Sequence, residues 1–383
     1  MKVLELLKFI PDEELEFLAK ETKVDYQVKK LYGINLFKLL LFSMINKDKP
    51  SLRVMERFYQ TTTFKVFAET DDQTTKFNSI SDRISTINSE YFERIFNTIF
   101  DKFSTHFQEN NSLIRFDSTM VAISSKLIDW GMKVGSKTNK KQIKYTIGMK
   151  GSFPCHVEIF GTQEKLSEDK TIPEAIINFD ASTDSIIVFD RGVQARKTFE
   201  LFSDNDIHFV TRAKIGVKYK LISSNKIIEK PKNSSVIIEE DIKVKLKGEN
   251  GKYVTKPFRL IKGVVEKTGE PIYFITNIEE MTAHEIACIY KMRWEIEVMF
   301  KFLKQQLNLS HLVSRSKNGL QVMIYMTLIL AILVIAYKKI NNIKGYMIAK
   351  LQFANELESS IIRDIVILCG GDPNNMRHIF NDT

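Results

Sequence analysis

Residues 113–119 read LIRFDST, and the chain changes character at that point. Before them, apolar residues recur at helical spacing in Tyr32 to Ile45, Leu52 to Phe58 and Tyr91 to Phe107. After them come short apolar runs that end in polar turns: IKYTIGMKG (143–151), HVEIFG (156–161), SIIVFDRG (185–192) and HFVTRAK (208–214). Such runs predict strands. Helical patterns over residues 170–179 and Gln194 to Phe202 alternate with them, so residues 111–213 predict an α/β core, a mixed sheet flanked by helices.

Residues 1–110 predict an all-helical N-terminal domain, in which Ser51 and Ser79 stand where N-caps are expected. The first twenty residues pattern as an amphipathic helix, and Asp12, Glu13, Glu14 and Glu16 interrupt any stretch resembling a signal peptide. Residues 214–278 alternate Val, Ile and Lys, which predicts an antiparallel β-rich insertion. Thr282 to Glu285 has the form of a capping box and opens a helical pattern reaching Leu307, so residues 279–340 should complete the α/β core. The tail, 341–383, patterns as helix until Gly370, Gly371 and Pro373. Leu320 to Tyr337 is almost wholly apolar and fits either a short membrane span or a helix buried in a large core.

The 383 residues are 44% hydrophobic and 27% charged, a balance that excludes collagen, long disorder and a multispanning membrane protein. A net charge of +9 points to a polyanionic partner. Cys155, Cys288 and Cys369 lie too far apart for a disulfide framework or a zinc site, which suits a reducing compartment. The six histidines lack metal-ligand spacing, and there is no phosphate-binding loop, so no nucleotide cofactor is expected.

Asp117 and Asp190 each close an apolar run, which predicts two carboxylates at the C-terminal ends of strands, the edge where open α/β sheets gather their active sites. Alone, either is an ordinary turn residue. A third carboxylate comes from Ile289 to Leu307, IYKMRWEIEVMFKFLKQQL. Read as one helix at about 100° per residue, it places Tyr290, Arg293, Glu297 and Lys304 on one stripe.

With those residues the sequence resembles the DDE transposases of the insertion sequence four group, whose catalytic core is ribonuclease H-like. The match rests on Asp117 in FDST, Asp190 in FDRG, the signature of Tyr290, Arg293, Glu297 and Lys304, and a β-rich insertion before the last carboxylate. The resemblance implies a catalytic and metal-binding triad of Asp117, Asp190 and Glu297. Two Mg²⁺ or Mn²⁺ ions are expected there, and clustered hard oxygen donors suit them. Tyr290, Arg293 and Lys304 would position DNA phosphates. It further implies double-stranded DNA with terminal inverted repeats and target DNA as partners, a homodimer in the synaptic complex, and action at the bacterial nucleoid in the cytoplasm, with no membrane. In related transposases the helix after the glutamate helix is buried against the sheet, which favours the buried alternative for Leu320 to Tyr337.

Lys126 to Lys150 holds seven lysines and one acid; beside a nuclease-like site Lys133, Lys137, Lys140, Lys141 and Lys144 become candidate DNA-backbone contacts. Related insertions carry a Trp that stacks on a flipped base, whereas Trp130 and Trp294 both lie outside residues 214–278. Tyr253, Tyr219 or Phe258 would have to substitute. Two other functions compete with transposition: a ribonuclease H-like nuclease that cuts without joining, and a transposase-derived DNA-binding protein without catalysis.

Overall fold

The computed structural model describes residues 2–70, 74–108, 112–123, 130–133, 141–179, 184–227, 235–248, 251–311, 313–314 and 316–376. Helices come first: α1 (Val3–Leu7), α2 (Asp12–Glu21), α3 (Gly33–Asn46), α4 (Leu52–Tyr59), α5 (Thr62–Ala68), α6 (Phe77–Thr86) and α7 (Glu90–His106). The strands β1 (Leu113–Ile123), β2 (Met132–Lys133), β3 (Lys141–Lys150) and β4 (Phe153–Phe160) follow, then α8 (Glu168–Asn178), β5 (Ile186–Phe189), α9 (Arg196–Asp204) and β6 (His208–Ala213). The insertion supplies β7 (Tyr219–Ser224), β8 (Val236–Leu246), β9 (Phe258–Val265) and β10 (Pro271–Thr276). After it come α10 (Ala283–Lys291), α11 (Trp294–Gln305), α12 (Lys317–Ile340) and α13 (Tyr346–Leu368).

The chain divides into two compact units, one of Met1–Phe107, Ile123–Asp129 and Lys301–Thr383, the other of Gln108–Ala122 and Trp130–Phe300. In the helical unit, Ser51 caps α4 as expected, its side chain accepting from the Val54 N–H at 3.3 Å. Ser79 does not cap; it lies inside α6, because the Glu56 carboxylate accepts the Phe77 N–H at 3.0 Å and starts that helix earlier. Pro11 divides the first twenty residues into α1 and α2, since its ring nitrogen has no hydrogen to continue a helix, and it becomes the N-cap of α2.

The helix expected against the sheet is the centre of this helical unit. α12 packs on α1, α3, α6, α7 and α13, and every residue from Val322 to Tyr337 is buried. A helix that is apolar all round carries no stripe to say which neighbours it takes, so composition could not tell these helices from a sheet. It is long and apolar enough to cross a membrane, yet 94% of its apolar window is buried within the protein. Its few polar groups are satisfied locally: the Asn318 amide donates to the Ile87 carbonyl at 2.6 Å, and the Tyr337 hydroxyl donates to Glu356 of α13 at 2.7 Å.

The other unit holds a ten-stranded mixed sheet in the order β2-β3-β1-β5-β6-β10-β9-β8-β7, with β4 also paired to β3. β1, β5 and β6 are parallel neighbours, and β3 and β4 form an antiparallel hairpin. The strand order β4-β3-β1-β5-β6, flanked by α8, α9 and α10, is the ribonuclease H-like arrangement. Gly151 turns the hairpin at a φ of 58°, a left-handed conformation that favours glycine. The insertion is antiparallel, as its alternation predicts, and it continues the core sheet: β10 pairs with β6, then β9, β8 and β7 follow. A buried pair welds it in place, with Arg259 donating to Asp241 at 2.6 Å and to the carbonyls of Ile278 and Met281 at 2.9 and 2.6 Å.

Side chains alternate between the two faces of this sheet. Leu113, Ile186, Val188, Val210, Ile261 and Phe274 meet Ala283, Ile286, Ala287 and Tyr290 of α10, a helical stripe at spacings of three and four. On aromatic contacts elsewhere, Phe189, Phe199, Phe202, Phe209 and Phe258 cluster with ring centroids 5.1 to 6.4 Å apart. Phe258 is therefore a core residue, 0% exposed, and is withdrawn as a base-stacking candidate. Phe258→Ala should destabilise the sheet unit by about 3–5 kcal/mol, the usual cost of removing a buried Phe. Denaturant unfolding would check this, and a midpoint unchanged from wild type would place the ring outside the core.

Candidate active site

The parallel register of β1 with β5 builds the site. Leu113 pairs with Ile186 and Phe116 with Phe189, so the next residues along, Asp117 and Asp190, leave the paired region side by side. The expectation that both carboxylates end strands is half right. β5 ends at Phe189, whereas β1 runs on to Ile123, and Asp117 marks where β1 passes the end of β5. By alternation Leu113, Arg115 and Asp117 share the face covered by α10, as do Ile186, Val188 and Asp190.

The third carboxylate arrives on a broken helix. α10 ends at Lys291 and α11 begins at Trp294, with Met292 and Arg293 in a turn between them. The Arg293 N–H reaches back to the Tyr290 carbonyl at 3.0 Å and the Ile296 N–H to the Arg293 carbonyl at 3.1 Å, both three-residue bonds that tighten the chain. The single continuous helix expected from Ile289 to Leu307 is corrected accordingly. Tyr290 belongs to α10, Glu297 and Lys304 to α11, and Arg293 to the junction.

These side chains converge. The Tyr290 hydroxyl donates to Asp190 Oδ1 at 2.8 Å, and Arg293 Nη2 donates to Glu297 Oε1 at 2.5 Å. Arg293 Nη1 also lies 4.0 Å from Asp117 Oδ2, so one guanidinium bridges two of the three expected acids. Its side chain is only 12% exposed, so its charge sits between two carboxylates. Burial disfavours the charged guanidinium, but Tyr290, Glu297 and Asp190 outweigh that and hold its pKa above the ordinary arginine range. Burial pushes the Asp117 carboxyl up to about 6, and Glu168 and Asp190 add to the rise while the Ser118 N–H and Arg293 oppose it.

Glu168 was not expected here. It opens α8, and burial followed by the charges of Asp190 and Asp169 raises its pKa, with Lys144 opposing. Gly192 makes room for it, since a Cβ at that position would lie 1.7 Å from the Glu168 carboxylate. Next to it, Asp169 accepts the backbone N–H groups of Gln194 and Ala195, fixing the turn that leads from Asp190 into α9. The available sequence signal was the acidic pair following Ser167, which reads equally well as an N-terminal helix cap.

The candidate lysines separate. Lys144 is 3% exposed and donates to the Leu166 carbonyl, and burial lowers its pKa with Glu168 opposing; it lies inside the sheet unit rather than on its surface. Lys133 is exposed and Lys141 half-buried. Lys137 and Lys140 lie outside the described residues. Lys304 is exposed on α11. Among the base-stacking candidates, Tyr253 is 46% exposed, while Tyr219 lies beneath the Lys262 ammonium, 5.0 Å from its ring.

Asp117, Asp190 and Glu297, with Glu168 close enough to raise the Asp117 pKa, provide hard oxygen donors of the kind Mg²⁺ or Mn²⁺ prefers. Among the described residues no three such side chains are grouped closely enough to share one ion, and Glu297 is bonded to Arg293 and Asp190 to Tyr290. The donor chemistry of Asp117, Asp190 and Glu297 fits a divalent cation.

Residues 110–333 match the family model described as the transposase DDE domain. The chain belongs to that family. A transposase-named protein of insertion sequence element IS4SA from Synechocystis sp. is 28% identical over 261 residues, covering 64% of this chain and 70% of its own length. Another, named for insertion sequence element IS5377 of Geobacillus stearothermophilus, is 24% identical over 203 residues, 53% of this chain and 50% of its own. Among solved structures, a piggyBac transposase synaptic complex with hairpin DNA aligns with a TM-score of 0.46 at 11% identity, over 95% of this chain and 82% of that one. Membership of the transposase DDE-domain family supports a DNA transposase.

Proposed function

We propose that this transposase-family chain binds the terminal inverted repeats of an insertion sequence of the insertion sequence four group, cuts them, and joins them to target DNA through Asp117, Asp190 and Glu297. The observation that carries this is the β1–β5 register, which sets Asp117 beside Asp190 while Arg293 ties Asp117 to Glu297. Asp117, Asp190 and Glu297 would hold the ions. Two bound Mg²⁺ or Mn²⁺ ions would stabilise the attacking and leaving oxygens of an in-line phosphodiester displacement.

The chain's own residues do the rest. Tyr290 orients the Asp190 carboxylate through its 2.8 Å bond, and Arg293 balances Asp117 and Glu297 until cations arrive. Lys304, Lys133 and Lys141 would hold DNA phosphates, and a homodimer would bring two ends together at the nucleoid in the cytoplasm. The test is a strand-transfer assay with precut ends and a target plasmid in Mg²⁺. Joined product is expected; cutting of uncut ends without joining would assign a nuclease instead, and end binding without either would assign a non-catalytic DNA-binding protein.

Lys304→Ala should weaken end binding and lower the slope of log K against log salt by up to about one unit, the change expected when one phosphate contact is lost. Binding isotherms at several salt concentrations measure it. An unchanged slope would leave Lys304 as a solvated helix residue.

A further inference from the structure

Arg115 lies in β1 two residues before Asp117 and is 3% exposed. A guanidinium in the middle of a sheet costs several kcal/mol in lost hydration unless partners replace the water. Its partners are specific. Nε donates to the Met292 carbonyl at 2.8 Å, Nη1 to the Gly151 carbonyl at 2.9 Å, and Nη2 lies 2.9 Å from Glu295 Oε2. Met292 lies in the break between α10 and α11 and Glu295 in the first turn of α11; Arg293 follows Met292 directly, and Glu297 lies two residues beyond Glu295. Gly151 is the left-handed turn of the β3–β4 hairpin.

We propose that Arg115 is a positioning residue for the cation site: from the strand that carries Asp117 it grips the helix junction and first turn that lead into Glu297, and so sets the spacing between those two carboxylates. The planar fork matters here, because its donors reach two carbonyls and a carboxylate in fixed directions. A lysine would keep the charge but could not hold all three partners in that geometry. The inference rests on the proposed role of Asp117 and Glu297 as cation ligands, and it predicts an effect on the metal-binding equilibrium itself, before any DNA is cut.

The experiment is calorimetric titration of the full chain with Mn²⁺, comparing wild type, Arg115→Lys, Asp117→Asn and Val244→Ala. Val244 is 0% exposed on β8, so its truncation loosens the same sheet without touching the junction. Arg115→Lys should bind Mn²⁺ about 10–100-fold more weakly, the range found when residues supporting metal ligands are replaced. Val244→Ala should lose thermal stability while keeping Mn²⁺ affinity. Should Arg115→Lys fail to fold, Glu295→Gln, at a carboxylate 51% exposed, is expected to shift Mn²⁺ binding in the same direction by less. Wild-type affinity in the foldable variant, or an equal loss in Val244→Ala, overturns the role of Arg115. Wild-type affinity in Asp117→Asn overturns the carboxylate assignment instead.

Discussion

Asp117→Asn, Asp190→Asn and Glu297→Gln should each abolish cleavage of element ends while leaving end binding within a few fold of wild type. Each change is nearly isosteric and removes one negative oxygen donor from the face shared by β1, β5 and the α10–α11 junction. On the proposed assignment, two acids alone would not hold the cations that in-line displacement needs. The losses should be non-additive, since residues acting as one unit fail together. Glu297→Gln also removes the charge that Arg293 contacts, so its guanidinium should turn further toward Asp117. Gel assays of cleavage in Mg²⁺, with binding followed on the same DNA, decide the matter. Wild-type cleavage by any one variant would take that residue out of the triad.

The second large effect lies in the helical unit. Leu330→Asp should abolish recovery of folded protein, because Leu330 is 1% exposed in the middle of α12, among α1, α3, α6, α7 and α13. Burying an unpaired carboxylate costs several kcal/mol even after relaxation, a large share of the 5–15 kcal/mol that typically holds a domain together. Leu330→Met, nearly equal in volume, should cost less than about 1.5 kcal/mol and serve as control. Soluble yield and thermal melting by circular dichroism report the outcome. An aspartate variant that melts like wild type would show that α12 does not occupy this core.

What the sequence made legible follows from physics that acts locally. Asp117 and Asp190 stood out because each interrupts an apolar run, and the capping box at Thr282 to Glu285 marked the true start of α10, with both reciprocal bonds formed. The break at Met292 is hidden in the sequence because no Gly or Pro marks it and apolar residues keep recurring at helical spacing across it. Lys144 misled because β3 has sheet neighbours on both sides and is buried from Ile143 to Met149, so alternation gives no warning that a lysine there points inward. Arg115 has one visible signal in LIRFDST, a charge inside an apolar run in phase with Asp117, and that spacing does not say which partners it takes. Glu168 depends on a close approach to Gly192 that no spacing in the chain announces.

The place of α12 has a consequence for the order in which the molecule can be made. α3 and α7 are complete by His106, yet the helix they pack on begins at Lys317, about 200 residues later in synthesis. At the usual 5–20 residues per second, that leaves an interval of about 10 to 40 s in which the leading helices have emerged without their central partner. Their apolar faces must stay uncommitted while the whole sheet unit is threaded between them and α12, a loop whose closure delays the first unit until nearly the last. A nascent chain halted before residue 317 would therefore present unsatisfied helices at its front end, and chaperone dependence should concentrate there rather than on the sheet.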